Sequence, residues 1–347
     1  MNKWSGFHLI NVVWGESFTK LFLDVCLPTQ LSPRNLGAFR NEKNAVYRIY
    51  TTAKDAETII KHPVYSVLSK TIRTKIKIFD LDSLKGTKHE VMNWCHQHAV
   101  IQANKDNCIL IFLLPDGAFA DGLFEKLISL AYAGKRTVMI GTFRVVKETF
   151  IPDLITLFNP EKKPTISISN RLLVSLSLEH LHPINKAQFW EDDGCRSFHP
   201  AMLYWRVANE GMVAKYFHTQ PIMIYPLNKN VLPSPTIDGK YVSLACPEPE
   251  DIYVVQDSDD MYYCEFSSAD IYQDHIRHQG VTNIEDMAHW VHRMTDSFHR
   301  YCFKNYKLLT HVGEISPLWA KAHAESDIVG EQIFAEFELR YKGESVY

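Results

Sequence analysis

Residues 108–145, CILIFLLPDGAFADGLFEKLISLAYAGKRTVMIGTFRV, decide the fold. Cys108 to Leu114 is an unbroken apolar run of strand length, and Thr137 to Ile140 is another; such runs mark strands covered on both faces. Between them, Leu123 to Ala133 has helical spacing and stops at Gly134, a residue that accepts the left-handed backbone of a helix end. Open α/β sheets bind ligands outside the carboxyl ends of their strands. Asp116 and Asp121 stand at such an edge beside Gly117 and Gly122, and a carboxylate pair there suits a metal–diphosphate ligand.

Working outward, Phe7 to Trp14, Val46 to Tyr50 and Ile76 to Phe79 read as three earlier strands. Thr52 and Asp55 form a capping box for a helix to Lys61, and Lys88 to Asn104 is a second helix. The alternation from Phe7 to about Val145 predicts an α/β fold with a mostly parallel sheet and helices on both faces. Beyond Phe150 the pattern loosens. Ser169 caps a helix over Arg171 to Leu181, His199 to Lys215 reads as a loop entering a helix, and Pro221 to Pro226 and Ile252 to Gln256 read as strands. A capping box at Thr282 and Glu285 opens one long amphipathic helix from Ile284 to about Leu308, and Ile328 to Leu339 is a last helix. The expected organisation is an α/β half over 1–150, a mixed half of the same domain over 151–270, and a C-terminal helical extension over 271–347.

Bulk properties narrow the function classes. The formal net charge of −3 gives no global field for nucleic acid. Seven scattered cysteines suit reduced thiols in the cytoplasm rather than a disulfide framework. The first residues lack the pattern of a secretory leader, and no apolar run is long enough to span a bilayer. The helix from Ile284, carrying Trp290, His292, Arg293, Arg300, Lys304 and Lys307, suits either the core or a peripheral contact with a membrane.

Several motifs are missing. No G-x-G-x-x-G follows the first strand, Gly134-Lys135-Arg136 is no phosphate loop, and neither G-x-S-x-G nor H-E-x-x-H occurs. Cys95-His96-Gln97-His98 has no second ligand pair to complete a zinc site.

What remains is a set of carboxylates with rival readings. Asp116 leaves its strand through Pro115, and Asp121 doubles as the cap of the next helix. Asp257-Ser258-Asp259 is a literal D-x-D, its two carboxylates sharing one side of an extended chain, but the segment also reads as a solvated hairpin loop. Asp238, in TIDGKYV, is a candidate general base or a plain Asp-Gly turn. His199, Tyr204 and Arg206 offer an imidazole, an aromatic face and a guanidinium for an acceptor, or the packing of one helix. Arg144 lies after the fifth strand, within reach of a diphosphate.

The segments VVWGESFTKLFLDVCLPTQLSPRNL, YRIYTTAKDA, IFLLPDGAFADG, HPAMLYWRVANEGMVAKYFH and TIDGKYV resemble those of bacterial glycosyltransferases with a GT-A-type, Rossmann-related fold, over residues 5 to 265. The resemblance implies transfer of a sugar from a nucleotide-activated donor to an acceptor hydroxyl on a glycan, a lipid-linked carrier or a protein. It implies a nucleotide pocket lined by Gly15, Glu16, Tyr50, Thr51 and Thr52, with Asp116, Gly122 and Arg144 completing the donor site. A divalent cation, Mn²⁺ or Mg²⁺, would fall on Asp116 and Asp121, which have four residues between them where the family carries D-x-D. That departure leaves Arg144 or Lys147 as alternative phosphate partners. The base would fall on Asp238 or His199, and Tyr204 and Arg206 on the acceptor side. A sugar nucleotidyltransferase and a non-catalytic scaffold are the alternatives.

Overall fold

The central strands are apolar because they are covered on both sides. A computed structural model describes residues 4–84, 86–158, 164–191, 193–237 and 240–341. Its strands are β1 (Phe7–Val12), β2 (Val46–Thr51), β3 (Arg73–Ile78), β4 (Ile109–Leu113), β5 (Gly117–Phe119), β6 (Thr137–Ile140), β7 (Arg144–Val146), β8 (Met202–Val207), β9 (Gly211–Tyr216), β10 (Gln220–Ile224), β11 (Ile252–Val254), β12 (Tyr263–Ser267) and β13 (Leu308–His311). The chain forms two compact units. The first comprises Met1–Ile140, Ile151–Ser169 and Gln220–Val254; the second comprises Gly141–Phe150, Asn170–Thr219 and Val255–Tyr347. This division differs from the three consecutive parts expected from the sequence, because distant segments return to the first unit.

The first unit holds a seven-stranded sheet in the order β11-β6-β10-β4-β1-β2-β3. Every residue of β1 and β4 is buried, whereas edge strand β3 (RTKIKI) is largely exposed. β1 lies between β2 and β4 and is parallel to both, with Leu9 opposite Tyr47 and Ile111. β10 runs antiparallel to β4 and β6. The expected α/β class and mostly parallel sheet are what the structure has. One layer of the core joins Ile10 and Val12 of β1, Leu110 and Phe112 of β4, and Val91, Cys95 and Ala99 of the helix Lys88–Lys105.

The second unit corrects two expectations. The segment read as a loop entering a helix is the antiparallel hairpin β8–β9, flanked by β13. Leu203, Trp205 and Val207 alternate into one apolar cluster, a period of two that outweighs the helical reading. The long helix from Ile284 is two, Ile284–Met294 and Ser297–Asn305, because Asp296 accepts from the backbone N–H of His299 and starts a new helix. Met287, Trp290 and Val291 of the first pack into the same core as Trp319, Ile333 and Phe337 of the helix Trp319–Arg340. The apolar face proposed for a membrane is thereby used inside the unit. No helix among the described residues is long and apolar enough to cross a membrane. All seven cysteines are buried free thiols.

Candidate functional site

In the first unit the strand order reverses direction about β1 and β4: the chain moves from β1 to β2 and β3 on one side, then returns to β4 on the other. That is the topological switch point at which an open α/β sheet forms its ligand crevice. The loop after β1 enters it through Gly15, whose φ of 85° is in the region glycine tolerates. The buried Asp55 carboxylate fixes this loop. It accepts from Gly15 N at 2.9 Å, from the Thr52 hydroxyl at 2.7 Å and from the Thr19 hydroxyl at 3.2 Å. Thr52 caps the helix Ala53–Lys61, and Glu16 opens the helix Glu16–Leu21 with its side chain exposed. Of the five residues expected to line a nucleotide pocket, Gly15, Glu16 and Thr52 reach solvent. Tyr50 and Thr51 do not: Tyr50 is 1% exposed, its hydroxyl against His98 Nδ1, and Thr51 is wholly buried. They support the crevice from beneath.

The β4 edge is organised by a residue the sequence reading passed over. Asn35 is wholly buried. Its Oδ1 accepts from Gly122 N at 3.2 Å and Phe124 N at 3.1 Å, and its Nδ2 donates to Thr29 O at 3.1 Å and Ala120 O at 3.0 Å. It thus satisfies the opening N–H groups of the helix Leu123–Tyr132, the capping task expected of Asp121. Asp121 is a clamp instead. Its Oδ1 accepts from Arg34 N at 2.9 Å and its Oδ2 from the Ser167 hydroxyl at 2.7 Å. Both oxygens of Asp121 hold loops together, one hydrogen bond on each. Gly122 has φ of 108°, and a Cβ there would stand 3.0 Å from the Arg34 guanidinium carbon, so its role is steric rather than ligand-binding. Asp116, three residues past Leu113 at the end of β4, is partly exposed at the crevice edge.

Among the described residues, a group able to hold a cation lies in the second unit. Asp257, Asp259 and His311 bring three ligand atoms within 4.8 Å of one another. Backbone pairing assembles them: Leu309 N donates to Gln256 O and Ser258 N to Leu309 O, which sets the D-x-D segment alongside β13. The two strands flanking D-x-D, β11 and β12, belong to different sheets, so the expected hairpin loop does not exist. His311 is 3% exposed. Its Nδ1 contacts Gly313 O, and a carbonyl can only accept, so that nitrogen carries a proton. Its Nε2 then faces Asp257 Oδ1 at 2.9 Å and Asp259 Oδ2 at 4.0 Å. Two lone pairs at the shorter distance require a second ring proton or a cation between them. A histidine whose other N–H is held by a backbone carbonyl is the usual support for a metal ligand. Two carboxylates and an imidazole suit Mn²⁺ better than all-oxygen Mg²⁺. Asp259 is also forked by Arg171, with its Nε 3.1 Å from both oxygens, which holds the carboxyl below its ordinary range.

The other expected residues fall in the second unit or outside the described residues. Arg144 is bound by Glu265 at 2.7 Å and Ser267 at 2.9 Å. Tyr204 is wholly buried, its hydroxyl accepting from Asn185 Nδ2 at 3.0 Å, so it is a core residue and not an acceptor platform. Arg206 is exposed over the Phe189 ring at 4.1 Å. His199 is an exposed imidazole 4.6 Å from the His275 ring; partial burial and that neighbour lower its proton affinity. Asp238 lies outside the described residues.

No protein-family model matches the chain, and no curated protein matches it. Solved structures do. The chain is similar to residues 1–349 of Staphylococcus aureus TarS at 10% identity and a TM-score of 0.39, over 97% of this chain and 72% of that one. It is similar to a Bacillus anthracis protein assigned as a glucose-1-phosphate thymidylyltransferase at 11% identity and a TM-score of 0.27, over 40% and 55%. It is also similar to the mannosyltransferase Ktr4p of Saccharomyces cerevisiae at 8% identity and a TM-score of 0.26, over 45% of each. The chain thus spans about half the length of the latter two, and none of the three assigns it to a family.

Proposed function

We propose that this chain is a glycosyltransferase that takes its sugar from a nucleotide-activated donor. The observation that carries the reading is the switch-point crevice of the first unit, with the Gly15 loop clamped by Asp55 at one side and Asp116 at the other. Exposed backbone at Gly15 suits close approach of a nucleotide, and Glu16 and Thr52 suit ribose hydroxyls. The GT-A resemblance implies a nucleotide at this edge of the sheet.

In the second unit, Asp257, Asp259 and His311 would hold a divalent cation. When bound, such an ion supplies a fixed positive charge to an oxygen ligand. His199, neutral and accessible at pH 7, takes the proton of an acceptor hydroxyl, with Asp238 as the other candidate base. Arg206 lies on the acceptor side. The acceptor is a hydroxyl of a glycan, a lipid-linked carrier or a protein, and the buried free thiols fit a cytoplasmic setting.

The test is release of nucleoside diphosphate from a panel of nucleotide sugars. One donor should be consumed, and His199→Gln should slow it by about 10²-fold or more, the usual loss with a general base. Inertness toward every donor, with or without Mn²⁺, would remove the proposal.

A further inference from the structure

Beside the helix Ile284–Met294, the second unit has a cavity of about 400 Å³ whose walls include Arg277, Arg293, Trp290, Phe198 and Asp286. The size is that of a small-molecule site rather than of a bare ion. Arg277 is fixed in place: its Nε donates to the Thr282 hydroxyl at 2.8 Å, and its guanidinium lies 4.4 Å over the Phe198 ring. Asp286, at 3.7 Å, is its loose ion-pair partner. Arg293 is exposed, and no carboxylate pairs with it among the described residues. Trp290 is 4% exposed, and its indole N–H is buried with no acceptor. His289 also lines the cavity, but its ring nitrogens face Tyr341 and Glu285.

Two guanidiniums against one carboxylate leave one positive charge in excess. We propose that this cavity is an anion subsite that takes the phosphate group of a phosphorylated sugar. A guanidinium fork matches phosphate geometry, and the remaining volume accommodates the attached ring. The inference stands apart from the transferase reading, since it concerns binding by the second unit alone.

Calorimetric titration of the full chain with glucose 6-phosphate, inorganic phosphate, glucuronate and glucose tests it. None of these probes carries a nucleotide, so the result is separable from donor binding. Both phosphate probes should bind saturably, and glucose should not. Arg293→Gln removes an exposed side chain and should weaken phosphate binding about tenfold or more without lowering the melting temperature. Asp286→Asn should tighten binding. Absence of saturable phosphate binding would overturn the proposal, as would binding indifferent to Arg293→Gln. Glucuronate binding as tightly as glucose 6-phosphate would overturn the phosphate assignment.

Discussion

Replacing Asn35 by alanine should damage the first unit more than any surface change. The side chain makes four hydrogen bonds of 3.0–3.2 Å, all to backbone groups, from a wholly buried position. Each such bond contributes about 1 kcal/mol net, and a buried group left unpaired costs about 1–3 kcal/mol. Asn35→Ala takes this acceptor from Gly122 N and Phe124 N, while Thr29 O and Ala120 O keep the longer 3.4 Å bonds from Ser32 N and Leu123 N, so the expected loss is about 3 kcal/mol, a large part of ordinary stability. Urea unfolding followed by tryptophan emission measures it. Asn35→Asp refines the test, because the carboxylate keeps both acceptor contacts, to Gly122 N and Phe124 N, but cannot donate to Thr29 O and Ala120 O. Its native carboxyl would hold its proton above the ordinary range, so this variant should recover relative to wild type as the pH falls toward 4. A loss below about 1 kcal/mol in Asn35→Ala would refute the claim that this residue organises the β4 edge.

Three further outcomes follow from particular groups. His8 is 2% exposed, and burial, followed by the Arg48 charge, pulls its imidazole from 6.5 down to about 4. The unfolded chain therefore takes up this proton first, and the contribution of neutral His8 is present above pH 6.5 and lost between 6.5 and 4, on the order of 3 kcal/mol; urea midpoints at pH 7.5 and 4.5 should converge in His8→Gln. Mn²⁺ binding, read by calorimetry, should weaken at least tenfold in both Asp257→Asn and His311→Asn; indifference to both would move the cation elsewhere. Gly122→Ala forces a side chain into φ of 108° against Arg34 and should cost about 1–3 kcal/mol in thermal or urea unfolding.

The sheet was legible because its strands state their environment. Continuous runs such as ILIFL in β4 have few alternatives to burial on both faces, and Gly134 ends a helix where a left-handed residue is wanted. The hairpin β8–β9 was harder to read. Tyr204 is buried as well as Leu203 and Trp205, which blurs the alternation that marks a strand. The site was harder still, since its members are joined by tertiary pairing. D-x-D was visible, but nothing local distinguishes a solvated turn from a segment paired to β13, and His311 lies 54 residues away from Asp257. Asp116 and Asp121 invited a metal reading by proximity in sequence; in the fold each Asp121 oxygen accepts one hydrogen bond, from Arg34 N and the Ser167 hydroxyl. Asn35 gave no motif at all: its importance comes from four backbone groups that only the folded chain brings around it.

The most direct test of the central claim is the melting temperature of the full chain with UDP, GDP, CMP, dTDP or ADP, each with and without Mn²⁺. A ligand at about 100 times its dissociation constant adds about 2.7 kcal/mol, a rise of a few degrees for a chain of this size. One nucleotide should produce that rise, and Gly15→Val, which fills the exposed backbone beside the crevice, should abolish it. No rise with any of the five, at any Mn²⁺ concentration, would contradict a nucleotide-sugar transferase.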